Sequence, residues 1–364
     1  MRHPLHSICP YFAMFPEGFV AEQLYAYTRP DDVVLDPFCG RGTTILESLL
    51  NNRKGLGTDI NPVAACIAGA KANVPALRSL LMRVTELAEE FANQTSQELA
   101  PTEFFEQCFH PDTYAEVAFL RRALAWRRRA TDRFIAAVML GILHGESHRS
   151  LMYLSNRMPR TISTKPDYSV RWWRERGLQP PRRQTFEVLR QAVQFRFSQP
   201  PPGRRGSVVL SDARRCGKVL KKHAGQVALI VTSPPYIDTT DYAEDQWLRL
   251  WFLGGEPKPT LRLHKDDRHT LAVNYWTFLE EVWRGCAPLL RDTARIVVRI
   301  GGTKLSKPEL QQGLRESLVR GMGSRTVRGM NQGTSSHIAK RQTNSFRPGT
   351  SPDKLEHDFT FSVS

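Results

Sequence analysis

The sequence predicts an α/β protein, with a mostly parallel sheet covered by helices on both faces and a largely helical, basic insertion. Three observations predict it. Short apolar runs, each ending in acidic, polar or glycine residues, occur at 32–36 (DVVLD), 55–60, 207–213 (SVVLSDA), 227–236 (VALIVTSPPY) and 294–302 (ARIVVRIGG). Helical stretches separate them, which is the pattern of buried parallel strands in βαβ units. Between the second and third runs lies a stretch far longer than an ordinary αβ connection, and it must hold a subdomain of its own.

The first run leads through a glycine turn into a helix with Ile45, Leu46, Leu49 and Leu50 at helical spacing. The second ends at Asp59, and Asn61-Pro62 opens the next helix. Residues 75–148 read as helical, and the remainder of the insertion, rich in Arg, Trp and Pro, reads as irregular to Arg205. Residues 198–205 (SQPPPGRR) read as a linker back to the sheet, and 325–353, heavy in Gly, Ser, Thr and Asn, as a long flexible loop. Residues 357–363 (HDFTFSV) alternate like an edge strand. The chain thus divides into 1–75, an insertion at 76–205, and 206–364.

Composition is that of a soluble globular protein, with 41% hydrophobic and 24% charged residues. No apolar run approaches membrane-spanning length, and the N-terminus lacks the marks of a secretion signal, so the expectation is a cytoplasmic protein with no membrane partner. The 6 cysteines have no paired spacing, which argues for reduced thiols rather than a zinc site or a disulfide framework. Net charge is +15, and its placement is uneven: residues 120–222 hold 24 basic and 6 acidic residues, the rest 27 and 30. A polyanion-binding surface and a solvated basic face both have this composition.

Chemistry is carried by two motifs. Gly40 and Gly42 allow backbone to approach a ligand, and Asp59 follows Gly40 by 19 positions, close to the offset of about 20 at which a second-strand carboxylate takes ribose hydroxyls. No Lys-Ser/Thr follows the glycines, so a nucleoside without a pyrophosphate, such as S-adenosylmethionine, fits better than NAD or ATP. The second motif is Ser233-Pro234-Pro235-Tyr236, directly after an apolar strand. Its prolines remove amide donors and leave acceptors. Acceptors suit an exocyclic amine, whose conjugated lone pair must be localised before it attacks a methyl carbon, and Tyr236 offers a ring for base stacking.

Together the two motifs resemble the DNA amino methyltransferases, which modify cytosine N4 or adenine N6. The resemblance covers about 1–75 and 205–305 and implies a Rossmann-like S-adenosylmethionine-dependent fold. It implies a cofactor site of Asp36, Pro37, Phe38, Gly40, Gly42, Thr43 and Thr44, with Asp59 on the ribose, Phe15, Pro16 and Glu17 as the N-terminal cofactor motif, and Asp212 near the adenine. Ser233, Pro234, Pro235 and Tyr236 correspond to the catalytic tetrapeptide, and Ser in first place favours cytosine N4 over adenine N6. The absence of any Pro-Cys dipeptide removes the nucleophile of carbon-5 methylation.

The implied partner is double-stranded DNA, with a restriction endonuclease as a functional counterpart. The competing functions are an RNA guanine-N2 methyltransferase and a DNA-binding protein without turnover.

In the insertion, Arg157, Arg160, Arg171, Trp172, Trp173, Arg174 and Arg176 interleave cations with aromatics, as nucleic-acid contact requires; the two tryptophans equally suit anchoring to the core. His144 and His148 have helical spacing but no third ligand, and a structural pair outweighs a metal site. Asp241 and Tyr242 line a base pocket or cap a helix.

Overall fold

The computed structural model describes residues 2–11, 16–94, 98–145, 152–158, 165–236, 246–259, 272–301, 305–331, 333–337 and 355–364. The chain forms two compact units: a helical one of 1–10, 74–201 and 241–261, and a sheet unit of 11–73, 202–240 and 262–364. Where the sequence reading drew the insertion as 76–205, the helical unit also takes in the first ten residues and the segment that follows the 233–236 turn.

In the sheet unit, helix α1 (Glu17–Tyr27) precedes β1 (Val33–Asp36), and α2 (Thr43–Leu50), β2 (Lys54–Asp59) and α3 (Pro62–Ala72) follow. Strands β3 (Ser207–Leu210), β4 (Val227–Thr232), β5 (Leu290–Gly301), β6 (Val327–Gly329), β7 (Thr334–His337) and β8 (Leu355–Val363) complete it. The order is β3-β2-β1-β4-β5-β8-β6, with β7 also paired to β8. Strands β1 to β5 run parallel, and β8 runs antiparallel to β5, β6 and β7.

Alternation along the strands supplies two apolar faces. Val33, Leu35, Ile230, Ile296 and Val298 pack with Leu279, Trp283, Leu314 and Leu318 from helices Ala272–Cys286 and Lys307–Gly321. Val34, Leu229, Val231 and Val297 meet Val20 and Leu24 of α1. Sequence order reverses between β1 and β4, so their carboxyl ends flank the crevice where open α/β sheets bind ligands.

Three local expectations need correction. β8 is interior rather than an edge strand: it pairs with three strands, and residues of both parities, among them Asp358, Phe359, Thr360 and Phe361, are buried. The 325–353 stretch contains β6 and β7, which extend the sheet beside β8; 338–354 lie outside the described residues. The irregular part of the insertion contains helices Pro166–Arg174 and Thr185–Arg196, started by Pro166 at its first position and carried by Leu189, Ala192 and Val193 on one buried face.

The core of the helical unit is aromatic. Phe105, Tyr114, Trp173, Trp247 and Trp251 are buried, and Phe105 lies 4.5 Å from Trp251, centroid to centroid. Arginines serve structurally here: Arg121 donates to the Trp251 carbonyl at 2.8 Å, and Arg182 pairs with Glu116 at 2.6 Å. No helix among the described residues is long and apolar enough to cross a membrane.

Candidate active site

At the carboxyl end of β1 the chain turns through Gly40 (φ 48°) and Gly42 (φ 78°) into α2. Gly42 is required twice: its backbone is left-handed, and a Cβ there would stand 2.8 Å from the Ala68 backbone. No side chain caps α2, which leaves its first amides directed at the crevice end. The Asp59 carboxylate accepts from the Gly40 amide at 2.9 Å and the Asn61 amide at 2.9 Å, so it is fixed beside the glycine turn. Burial pushes its carboxyl up to about 6, against the pull of those amides.

Asp36, Thr43 and Thr44 are buried. The Thr232 hydroxyl donates to Asp36 at 2.7 Å, the Phe38 amide donates to it at 3.1 Å, and the Thr44 hydroxyl donates to the Val231 carbonyl at 3.3 Å. These bonds join the β1 loop to the end of β4, immediately before Ser233. Desolvation raises the Asp36 carboxyl to about 7, with its hydrogen bonds opposing. The Pro37 carbonyl accepts from Thr58 at 2.9 Å, and the Phe38 ring sits 5.9 Å from that of Phe278.

Pro16 is the N-cap of α1, and Glu17 opens that helix and accepts from Arg41 of the loop at 2.9 Å, so the N-terminal motif and the glycine turn are tied together. The fully buried Lys71 donates to the Arg41 carbonyl at 2.7 Å. Asp212, just past β3, has both carboxylate oxygens engaged by Arg214, at 2.6 to 3.1 Å. Phe15 lies outside the described residues.

Ser233 to Tyr236 follow β4. The Ser233 hydroxyl is 3.4 Å from the Tyr236 oxygen, and Tyr236 donates to Glu356 of β8 at 2.7 Å. Arg299 of β5 stands 3.8 Å from Glu356, forms a two-pronged pair with Asp358 at 2.6 and 2.8 Å, and covers the Phe19 ring at 3.9 Å. Glu356, Arg299 and Asp358 are residues that sequence reasoning missed. No motif marks them; the antiparallel register that sets Arg299 opposite Asp358 and Gly301 opposite Glu356 brings them to the turn.

The interleaved cations and aromatics of the insertion separate in the structure. Trp173 is fully buried, 5.5 Å from Phe104, and its indole N–H donates to the Arg157 carbonyl at 2.6 Å. It therefore anchors the core and has no face for a base, which corrects its assignment to nucleic-acid contact. Trp172 is half-buried beneath the Arg176 guanidinium at 4.7 Å. The side chains of Arg157, Arg171, Arg174 and Arg176 are exposed, with Arg174 paired to Glu103. Arg160, His148, Asp241 and Tyr242 lie outside the described residues. His144 is buried, and desolvation followed by the charge of Arg249 holds it well below the ordinary imidazole range. Among the described residues no cluster of His, Cys, Asp or Glu is placed to hold a metal ion.

Comparison with known proteins gives a family match for part of this geometry. Residues 3–68, which include the β1 loop and Asp59, match the N6/N4-type DNA methylase family model. The chain is 39% identical over 59 residues to the orphan methyltransferase M.BamHII of Bacillus amyloliquefaciens, covering 16% of this chain and 22% of that protein. It is also 28% identical over 106 residues to the type II methyltransferase M.MjaII of Methanocaldococcus jannaschii, covering 28% and 19%. The matches thus span about a fifth of these relatives' own length. Among solved structures, it is similar to the rRNA methyltransferase aviRa from Streptomyces viridochromogenes at 13% identity and a TM-score of 0.37, covering 99% and 90% of the two chains.

The methyl donor of the family that residues 3–68 match is S-adenosylmethionine. The residues present fit it: an ionisable carboxylate held beside a glycine turn suits ribose hydroxyls, and uncapped helix amides suit a carboxylate.

Proposed function

We propose that the chain is a site-specific DNA methyltransferase that modifies the exocyclic N4 amino group of cytosine in duplex DNA and serves in a restriction–modification context. The observation that carries this function is the joining of the two motifs: the Ser-Pro-Pro-Tyr turn and the glycine loop stand at adjacent carboxyl ends of β4 and β1, linked by the 2.7 Å Thr232–Asp36 bond.

Bound at the glycine loop, S-adenosylmethionine supplies an electrophilic methyl group on a sulfonium. The amine nitrogen would bond to that carbon as the carbon–sulfur bond broke, with sulfur keeping the electron pair, and the nitrogen would then release a proton. The protein's task is to localise the amine lone pair toward the methyl carbon, which hydrogen-bond acceptors on the amine hydrogens accomplish. Ser233 and the carbonyls of a turn with two prolines supply acceptors. No strong general base is needed, since the proton leaves after the methyl arrives.

The exposed Arg157, Arg171, Arg174 and Arg176 give the helical unit cations suited to phosphate contact, so binding to DNA is expected to weaken steeply with salt.

Transfer of labelled methyl to methylation-free duplex DNA, run beside transfer to tRNA, tests the substrate class. Label in DNA is expected. Label in tRNA alone overturns DNA in favour of an RNA amino group, and label in neither overturns the enzyme.

A further inference from the structure

The Ser233 hydroxyl has one proton and two lone pairs, and which of them meets an incoming amine depends on where its proton goes. Its neighbour in the structure is the Tyr236 hydroxyl at 3.4 Å, a length typical of catalytic bonds before substrate tightens them. Tyr236 in turn spends its own proton on Glu356 at 2.7 Å. A carboxylate can only accept, so it fixes the direction of the chain. Tyr236 donates to Glu356, the Tyr236 lone pair faces Ser233, and Ser233 donates to Tyr236.

Glu356 is suited to that end position. Its side chain is 14% exposed; burial raises its carboxyl above the ordinary value, while the Tyr236 hydroxyl and Arg299, 3.8 Å away, favour the charged form that accepts from Tyr236, and Arg299 is itself held by Asp358 and by the Phe19 ring. Gly301, opposite Glu356 in the sheet, leaves the space that Tyr236 uses: a Cβ there would lie 3.3 Å from the tyrosine ring, 3.3 Å from the Glu356 side chain and 2.8 Å from the Leu355 carbonyl.

We propose that Glu356 is a positioning residue for methyl transfer: as an acceptor-only group ending the Ser233–Tyr236–Glu356 chain, it draws both hydroxyl protons away from the crevice, so that Ser233 presents only lone pairs to the substrate amine. This inference rests on the amine-methylation function proposed above and extends it to a residue on the last strand. Without Glu356 the Tyr236 proton is free to turn toward Ser233, which then points its own proton at the amine and opposes the geometry that transfer requires.

The test is single-turnover methyl transfer to methylation-free plasmid DNA by the full chain, with calorimetric affinity for S-adenosylmethionine and thermal unfolding measured on the same variants. Glu356→Leu is expected to slow transfer by on the order of tenfold or more, the effect of losing a bond to a charged acceptor, with cofactor affinity within about twofold. Glu356→Gln keeps a carbonyl oxygen for Tyr236 but brings an NH2 that can also donate to it, and is expected to transfer faster than Glu356→Leu and slower than the parent. Tyr236→Phe removes the relay itself, is expected to be as slow as Glu356→Leu, and carries the test if the leucine variant does not fold.

Full transfer by Glu356→Leu or by Tyr236→Phe overturns the role. So does a glutamine variant at the full parent rate, because a group that donates as well as accepts would then serve equally and acceptance alone would not be what Glu356 supplies. A parent protein that transfers no methyl to DNA overturns the functional proposal, and this inference with it. An active parent with an unaffected leucine variant overturns Glu356 alone.

Discussion

Asp59 meets the Gly40 amide across 19 positions of chain, whereas Tyr236 meets Glu356 across 120. The first pair is made by one βα unit and the strand that follows it, so local geometry suffices. The second exists only because β8 returns antiparallel to β5 and sets Gly301 and Arg299 against Glu356 and Asp358. The proposed donor side of the crevice is thus assembled from neighbours in sequence, and the proposed transfer side from strands distant in sequence, with β5 between β4 and β8. The two should fail differently when disturbed.

The largest effect is expected on the transfer side. Arg299→Leu leaves the buried Asp358 carboxylate without its two-pronged partner, and breaking a buried pair costs about 3–5 kcal/mol. Denaturant unfolding measures it. On the donor side, Gly42→Ala combines a left-handed backbone with a 2.8 Å approach to Ala68, for a loss of about 2–4 kcal/mol by the same assay.

Next come effects on function rather than folding. Asp59→Ala is expected to weaken S-adenosylmethionine binding by about tenfold to a hundredfold in calorimetry, the range for a lost bond to a charged group. Ser233→Ala should leave that affinity nearly intact and slow transfer in single-turnover kinetics. If both variants changed affinity equally, the division into donor and transfer sides would be wrong.

The last effect concerns pH and is read as a slope. Asp36 keeps its proton in the folded protein up to about 7, against an ordinary value of 3.8, so between those values the folded state binds more protons than the unfolded one. Its contribution to stability therefore falls as pH rises from about 4 to about 7 and is level above that. Asp36→Asn removes the titration. The unfolding free energy of the variant should gain on that of the parent by at most about 1.4 kcal/mol per pH unit across that window.

How much of this was legible in the sequence follows the same division. DVVLD, the glycine turn and Asp59 announce their places because strand, turn and carboxylate are consecutive, and β1, α2, β2 and α3 fall where the apolar pattern puts them. Ser233 to Tyr236 were legible as a turn after a buried strand, but their support was not, since nothing near Arg299 or Glu356 in the chain signals a strand pairing. The alternation of 357–363 indicated a strand without its neighbours. The helix Pro166–Arg174 was obscured by its arginines, although Ser169, Val170 and Trp173 have the spacing of an inward face. Trp173 shows the cost of composition without placement, because the same residues that suit a nucleic-acid surface suit an aromatic core.

The central claim is that the joined motifs act on an exocyclic amine of a DNA base, and base-resolved mapping of methylation-free duplex DNA after exposure to the protein and S-adenosylmethionine tests it most directly. The predicted result is N4-methylcytosine at one recurring sequence. Methyl groups on adenine N6 alone would contradict the choice of base, and the absence of any methylated amine would contradict the claim itself.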